Sequence, residues 1–290
     1  MKTYRKSQNS MFLFGVPTTT LVADIMVCLM LSATSVLAMS VRAAVVRSQG
    51  THSLDQTIWQ EMNTGWSNFG NVPVEIDYTS LSGDNLTLQK IEATNADVLI
   101  LSAPGWYFTY TDVEIDAIID YVEAGHGIIL TYHNFDGNKG RLAHLLGLSE
   151  SISLGTNTFL DGIQFDLLAP EHPLFVGVSN PYSTGVPYMA WPGPDGTTWP
   201  LTTGQAIAET WSVTGPVLRH GMIVTNVGDT YRGLYFPHYI EDKMDGSNQQ
   251  DMQVFYNGLL WTAVPEPATV LLLGLGGLTL LRKRSNKQEK

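Results

Sequence analysis

The sequence has 290 residues, a formal net charge of −11 and one cysteine, Cys28. Half of its 16 basic residues lie at the two ends, so residues 39–264 hold 8 basic and 24 acidic residues, a net charge of −16. A domain this acidic repels nucleic acid and anionic lipid. Because residues 39–290 contain no thiol, disulfides, zinc–thiolate sites and a cysteine nucleophile are excluded there.

Residues 1–38 have the pattern of a secretory signal peptide. A basic start precedes a mostly apolar run at 25–37, and Ala38 supplies the small residue that signal peptidase requires. The alternative is an uncleaved N-terminal anchor. We favour cleavage and expect the mature chain to begin near Met39.

Strands and helices alternate through the first part of the mature chain. Short apolar runs predict strands, and apolar residues at helical spacing predict helices. The predicted elements are a strand at 41–47, a helix at 54–64, a strand at 73–78, a helix at 86–93 and a strand at 97–102. This alternation is typical of a parallel sheet that helices cover on both faces.

The next predicted helix has the clearest boundaries. Thr111 and Glu114 form a capping box, an apolar stripe follows, and Gly125 stands where a left-handed residue would end the helix. A buried strand at 128–132 and a helix at 142–146 come next.

Beyond residue 149 the pattern is looser. Residues 181–200 are rich in Pro, Gly, Trp and Tyr, and we interpret them as a long surface excursion. Strands are predicted at 206–211, 222–227 and 232–236, and a final amphipathic helix at 249–261.

The unit 96–133 resembles the class I glutamine-amidotransferase-like fold. It contains a strand followed by Ser102-Ala103-Pro104-Gly105, a capped helix, an Ala-Gly-His-Gly turn at 124–127 and a strand that ends at His133. This resemblance implies an α/β domain over 39–263 with a flavodoxin-like, open, mostly parallel sheet and helices on both faces.

Within that fold the chain is similar to the trehalose-utilization (ThuA-like) group. The His-Pro-hydrophobic-x-Gly segment of the group matches His172 to Gly177, its late Gly-aromatic-His strand matches Gly233 to His238, and Trp261 matches the end of its last helix. Together these matches span most of residues 41–263.

Ligands of open parallel sheets bind at the carboxyl ends of the strands. That rule selects side chains that follow several of the predicted strands. The aromatic ones among them have flat faces, which suit the C–H bonds of sugar rings. The ligand-binding candidates are Trp106, Tyr107, Tyr132, Asn134 and His172, and the candidate catalytic residues are His133, His238 and Glu171. For each histidine the alternative is a structural role, in which the ring hydrogen-bonds to the backbone.

The amidotransferase reaction itself is excluded. It needs a cysteine on a strained Gly-x-Cys-x-Gly elbow after the fourth strand, where this chain reads Leu130-Thr131-Tyr132-His133-Asn134. Neither Gly-x-Ser-x-Gly nor His-Glu-x-x-His occurs in the sequence, so a serine elbow and that type of zinc site are absent as well. We therefore predict no metal and no cofactor.

The C-terminal residues 264–290 form a tail of three parts. A Pro-Glu-Pro box is followed by an uncharged run of 14 residues at 268–281 and then by a basic cluster. A membrane span needs about 20 apolar residues, so this run predicts a short C-terminal hydrophobic helix, a transmembrane segment rather than a permanent anchor. The basic cluster favours the cytoplasmic side. A buried core helix is the alternative, which the position of the run makes the weaker one.

This tail resembles the PEP-CTERM sorting signal of Gram-negative bacteria. The matching sorting residues are Pro265, Glu266, Pro267, Arg282, Lys283 and Arg284. The resemblance implies that an exosortase in the inner membrane recognises the tail and removes it near the Pro-Glu-Pro box. It also implies an association with exopolysaccharide production.

Three functions remain open at this point. The first is an exported, non-catalytic or vestigial amidotransferase-like domain that binds exopolysaccharide or another glycan at the envelope or matrix. The alternative is a ThuA-like enzyme that acts on a sugar derivative through His133, with His238 or Glu171. The third is a protein-binding subunit of an envelope complex.

Overall fold

A computed structural model describes most of the domain between the two terminal segments. The described residues are 40–46, 56–81, 85–102, 110–132, 137–150, 152, 154–158, 162–192, 199–214, 217–243 and 247–263. The predicted signal peptide and sorting tail lie outside them, as do four candidate site residues, Trp106, Tyr107, His133 and Asn134. Among the described residues, no helix is both long and apolar enough to cross a membrane.

The described residues form eleven strands. They are β1 (Val41–Val45), β2 (Val74–Asp77), β3 (Val98–Leu101), β4 (Gly127–Thr131), β5 (Leu154–Thr158), β6 (Ile163–Leu167), β7 (Tyr182–Thr184), β8 (Tyr188–Pro192), β9 (Gln205–Thr214), β10 (Val217–Val227) and β11 (Arg232–Phe236). Nine of them make one sheet in the order β2-β1-β3-β4-β11-β10-β9-β6-β7, and β5 pairs with β8.

The large sheet has a parallel half and an antiparallel half. β2, β1, β3, β4 and β11 are parallel neighbours, in the strand order 2-1-3-4-5 of flavodoxin-like folds. From β11 through β10, β9 and β6 to β7 every pairing is antiparallel. The prediction of a mostly parallel sheet is therefore correct for one end only. Two residues connect β9 to β10, too few for the crossover that parallel neighbours require.

Helices cover both faces of the parallel half. They are α1 (Gln56–Gly65), α2 (Leu88–Glu92), α3 (Asp112–Glu123) and α4 (Gln249–Thr262). On one face Trp59 of α1 and Phe255 of α4 share a core cluster with Val98, whereas on the other face Ile118 of α3 packs with Leu99. Consecutive residues of β3 thus enter opposite cores, as the alternation along a strand requires.

The capping box predicted for α3 is confirmed. Thr111 Oγ1 accepts a hydrogen bond from the Glu114 amide at 3.4 Å, and Glu114 Oε2 accepts one from the Thr111 amide at 2.8 Å. Glu114 Oε1 also accepts from the Leu86 amide at 2.9 Å, so this buried carboxylate joins α3 to the segment before α2. Gly125 has φ +116°, the left-handed conformation predicted for the residue that ends the helix.

The surface excursion predicted for residues 181–200 is wrong for the described part, residues 181–192 and 199–200. This stretch includes β7 and β8, and the side chains of Tyr182, Met189 and Trp199 are buried. Tyr182 and Trp199 belong to the two core clusters, where burying a large aromatic ring removes about 150–250 Å² from water. The helix predicted at 142–146 is the last part of a 3-10 helix, Gly137–Leu146.

Candidate functional site

The carboxyl ends of three neighbouring parallel strands meet around Glu241. Glu241 lies in the 3-10 helix Ile240–Lys243, which follows β11, and its side chain is fully buried. Its Oε1 accepts hydrogen bonds from Ser102 Oγ, after β3, at 2.7 Å and from Thr131 Oγ1, at the end of β4, at 2.6 Å. A buried carboxylate requires such donors. Glu241 therefore fixes the strand ends at the edge where a ligand is expected.

Tyr132 follows β4 in a left-handed conformation with φ +51°. The Tyr132 amide donates to the Phe236 carbonyl at 2.8 Å, and Tyr235 Oη donates to the Tyr132 carbonyl at 3.0 Å. This conformation is strained for a bulky residue and persists only when neighbours hold it. The chain therefore makes a strained left-handed turn directly after β4, with a tyrosine on it.

The Tyr132 ring lies beside the ring of Tyr239, which precedes the 3-10 helix that carries Glu241. The ring centroids are 6.4 Å apart, Tyr132 is 8% exposed and Tyr239 is half-buried. The two tyrosines, the two hydroxyl residues and Glu241 therefore form one group at the strand ends, which we call the strand-end site.

His238 is fully buried between the two halves of the sheet. Its ring packs against those of Phe165, Tyr182 and Phe236, with centroids 5.0, 6.0 and 5.7 Å away. Its Nε2 lies 3.3 Å from Tyr182 Oη, and Tyr182 Oη donates a short hydrogen bond to Asp251. Because the hydroxyl proton of Tyr182 is donated to Asp251, it is not available to His238. We therefore infer that His238 is protonated on Nε2 and donates a hydrogen bond to Tyr182 Oη.

Burial determines the charge states of this His238–Tyr182–Asp251 cluster. It lowers the pKa of His238 to about 3, and within the described residues the His238 Nδ1 atom has no hydrogen-bond partner. Burial, together with the Asp251 carboxylate, raises the pKa of Tyr182 well above its ordinary value. Both rings are neutral at physiological pH. His238 follows β11, as predicted. Its side chain, however, lies in the core and takes part in the hydrogen-bonded cluster with Tyr182 and Asp251.

His172 and Glu171 lie near the amino end of β11, opposite the carboxyl ends of the parallel strands. His172 packs against Trp261 with ring centroids 5.2 Å apart, and the guanidinium of Arg232, the first residue of β11, lies 5.3 Å from the same Trp261 ring. His238 instead follows the last residue of β11. The structure therefore does not bring His172 or the exposed Glu171 together with Tyr132 and His238.

The segment from His172 to Gly177 forms a turn that is attached to α4. His172 Nδ1 accepts a hydrogen bond from the Leu174 amide at 3.2 Å and caps the 3-10 helix Pro173–Phe175. Asn257 of α4 donates to the carbonyls of Leu174 and Val176 at 3.0 and 2.9 Å, and Gly177 has φ +78°. These contacts give His172 and Gly177 of the His-Pro-Leu-Phe-Val-Gly match a structural role.

We expect His172→Ala to lower the free energy of unfolding by about 1 kcal/mol, the usual cost of losing a helix cap. Binding at the strand-end site should be unchanged, because His172 lies near the opposite end of β11. Urea unfolding and ligand titration of the same variant measure both effects. Unchanged stability with lost binding would instead identify His172 as a ligand-binding residue.

Several residues of these clusters were not among the candidates from sequence. They are Ser102, Thr131, Tyr239, Glu241, Tyr182 and Asp251. The strand-end rule that selected Tyr132 also points to Ser102 and Thr131, which adjoin the ends of β3 and β4. No local signal marks Asp251, since its partners lie 66–69 residues away in sequence. Within the described residues, no group of three potential metal ligands occurs.

Comparison with known proteins supports the sorting-signal resemblance and the ThuA-like resemblance. Residues 263–285 match the PEP-CTERM protein-sorting motif. The fold is similar to a cytoplasmic protein from Salmonella typhimurium, with a TM-score of 0.50, 12% identity and coverage of 77% of this chain and 99% of that one. It is also similar to a ThuA-like protein from Parabacteroides merdae, with a TM-score of 0.51, 11% identity and coverage of 78% and 91%. No curated protein matches the sequence significantly.

At these identities the structural similarity defines the fold alone. The sorting motif implies export toward the cell envelope and is the type of signal that an exosortase recognises. The chain is therefore an exported protein with a PEP-CTERM sorting motif, and its described domain has the fold of ThuA-like proteins.

Proposed function

We propose that this protein is a non-catalytic, glycan-binding derivative of the amidotransferase-like fold that works outside the inner membrane. The observation that supports the proposal is the strained left-handed turn at Tyr132. It lies where the resemblance to amidotransferases implies a cysteine elbow, and this chain has no thiol there. The tyrosine offers an aromatic ring at the position of the thiol. Such a change removes the reaction and leaves a site suited to binding.

The strand-end site has the chemistry that recognises a sugar. The rings of Tyr132 and Tyr239 are apolar faces with a phenol at one end, which combine C–H packing with hydrogen bonding. The buried Glu241 accepts hydrogen bonds from Ser102 and Thr131 at the ends of the neighbouring strands and so holds the backbone of the site in place. Trp106, Tyr107 and Asn134 lie outside the described residues. They follow the same strands in sequence, and we keep them as proposed ligand-binding residues.

Export and charge limit the partners of this site. The sorting motif directs the chain to an exosortase, and a glycan of the envelope or matrix is available on the far side of the membrane. The net charge of −16 over residues 39–264 opposes binding to anionic polymers. We propose transient anchoring by segment 268–281, followed by cleavage near Pro265.

We expect the purified exported protein to bind glycans on an array, and Tyr239→Ala to weaken that binding about tenfold. Loss of one stacked aromatic ring costs roughly 1–1.5 kcal/mol, which corresponds to this factor. Tyr132→Ala should weaken binding as well. Isothermal titration with the best array ligand measures the change. Tyr188→Ala is the matched control, since Tyr188 is an exposed tyrosine on the separate β5–β8 pair.

The alternative remains an enzyme that acts on a sugar derivative. His133 directly follows the strained Tyr132 in sequence, and the buried Glu241 lies near the same strand end. In this case turnover of some substrate would accompany little or no glycan binding, and His133→Ala would abolish it with the fold intact. Such a result would replace the binding proposal.

A further inference from the structure

A second surface lies on the antiparallel half of the sheet. Along β6 the burial alternates: Ile163 and Phe165 enter the core, whereas Gln164 and Asp166 are exposed. One face of this half therefore contacts the core and the other is open at β6, as is common for antiparallel sheets.

Strand register places four further side chains on the same face of the sheet as Asp166, of which Met222 packs against the core. Asp166 pairs with Glu209 of β9, Glu209 pairs with Met222 of β10, and Trp211 pairs with His220. Directly paired residues of antiparallel strands share a face, and so do residues two apart on one strand. We call the group of Asp166, Glu209, Trp211 and His220 the sheet platform.

Trp211 is the apolar centre of the platform. It is 47% exposed, an unusual state for the largest side chain, and its ring lies 4.4 Å from the ring of His220 at an angle of 35°. His220 is 2% exposed, and its carbonyl accepts a hydrogen bond from Trp199 Nε1 at 2.9 Å. The indole of Trp211 therefore packs against a buried side chain. Its orientation is ordered before a ligand binds, which lowers the entropic cost of stacking on it.

The charge of the platform is negative. Asp166 and Glu209 stand directly opposite each other across β6 and β9, and like charges in such pairs are destabilising. The ion pairs formed between described residues involve acidic side chains other than Asp166 and Glu209. A cationic ligand would relieve the repulsion between these two carboxylates, and a cation over an indole face is attracted by the ring as well.

We propose that the sheet platform binds a polysaccharide that carries free amino groups. Its pyranose rings stack on Trp211, and its ammonium groups contact the carboxylates of Asp166 and Glu209. The inference rests on the carbohydrate-binding function proposed above and adds to it a separate surface and a charge class. A chain that reaches both the platform and the strand-end site would be held at two places.

The test is titration of the exported protein with a glucosamine hexamer and, separately, with the N-acetylglucosamine hexamer, which has the same backbone without the charges. We expect the glucosamine hexamer to bind at least tenfold more tightly, with an affinity that falls as salt is raised. Trp211→Ala should reduce this binding at least tenfold, and the double variant Asp166→Asn with Glu209→Gln should remove the preference for the amine. The matched controls are Tyr188→Ala and Asp120→Asn, an exposed aromatic and an exposed acid elsewhere.

Equal binding of the two hexamers, or equal binding of a lysine hexapeptide, would overturn the proposal, as would full binding by Trp211→Ala. Tyr239→Ala separates this inference from the proposed function. Binding that is lost in Tyr239→Ala and kept in Trp211→Ala belongs to the strand-end site alone and would overturn the platform. Binding lost in Trp211→Ala and kept in Tyr239→Ala supports the platform. Circular dichroism of each variant establishes that it is folded.

Discussion

Replacing Asp251 by alanine is expected to destabilise the domain by about 3–5 kcal/mol, the usual cost of breaking a buried charged hydrogen-bond network. Asp251 is fully buried in the first turn of α4. Its carboxylate accepts hydrogen bonds from Tyr182 Oη, from Thr184 Oγ1 at 3.0 Å and from the Gly185 amide at 3.1 Å. The substitution leaves these three donors buried or half-buried without their acceptor.

Urea unfolding of the exported protein followed by circular dichroism measures this change. Asp120→Ala is the matched control, because Asp120 is an exposed aspartate on helix α3, and its replacement should change stability by less than about 0.5 kcal/mol. A loss below about 1 kcal/mol for Asp251→Ala would show that the carboxylate does not hold β7 to α4. In that case the His238–Tyr182–Asp251 cluster would lack its anchor.

The second large effect is a loss of stability in acid that depends on His238. Burial lowers the pKa of His238 from 6.5 to about 3 in the folded protein. Below pH 6.5 the unfolded chain therefore takes up a proton that folded His238 does not accept, and unfolding is favoured as the pH falls. The expected loss is about 2 kcal/mol between pH 7 and pH 5, and about 4 kcal/mol by pH 3.

Denaturant titrations of the wild type and His238→Gln at pH 7 and pH 5 isolate this contribution. Tyr182 is the titratable side chain that contacts His238 among the described residues, and Tyr182 and its partner Asp251 both remain in the variant. Glutamine does not titrate, so the difference between the two pH values should be about 2 kcal/mol smaller than in the wild type. An equal pH dependence in both proteins would mean that His238 is protonated in the folded state.

Some of the fold is encoded by residues close together in sequence. The capping box of α3 was predictable because Thr111 and Glu114 are three residues apart and bond to each other's backbone. The buried parallel strands were predictable from short apolar runs. The antiparallel half was harder to predict, because β7 and β8 have few residues. The Tyr, Trp and Pro residues around them are typical of a surface loop, but Tyr182 and Trp199 are buried.

The location of the strand-end site could be predicted from the sequence, but the conformation and contacts of its residues could not. The position of Tyr132 after β4 follows from the sequence, but its left-handed conformation depends on Phe236 and Tyr235, about 100 residues away. Glu241 has the same dependence, since its two donors lie 139 and 110 residues before it. His238 follows the last parallel strand, as the sequence predicts, yet only the packing of three aromatic rings around it shows that it is enclosed.

The sequence by itself determined that this protein is exported and carries a sorting tail, and that it has no thiol for the amidotransferase reaction. Sorting signals are recognised as short linear segments, and the absence of a residue type needs no structure to be established. Only the tertiary structure decided which strands run antiparallel, which histidine is buried, and that Trp211 is exposed and packs against a buried side chain. Each of these depends on contacts between segments distant in the chain, whose energies exceed the local preferences of the residues involved.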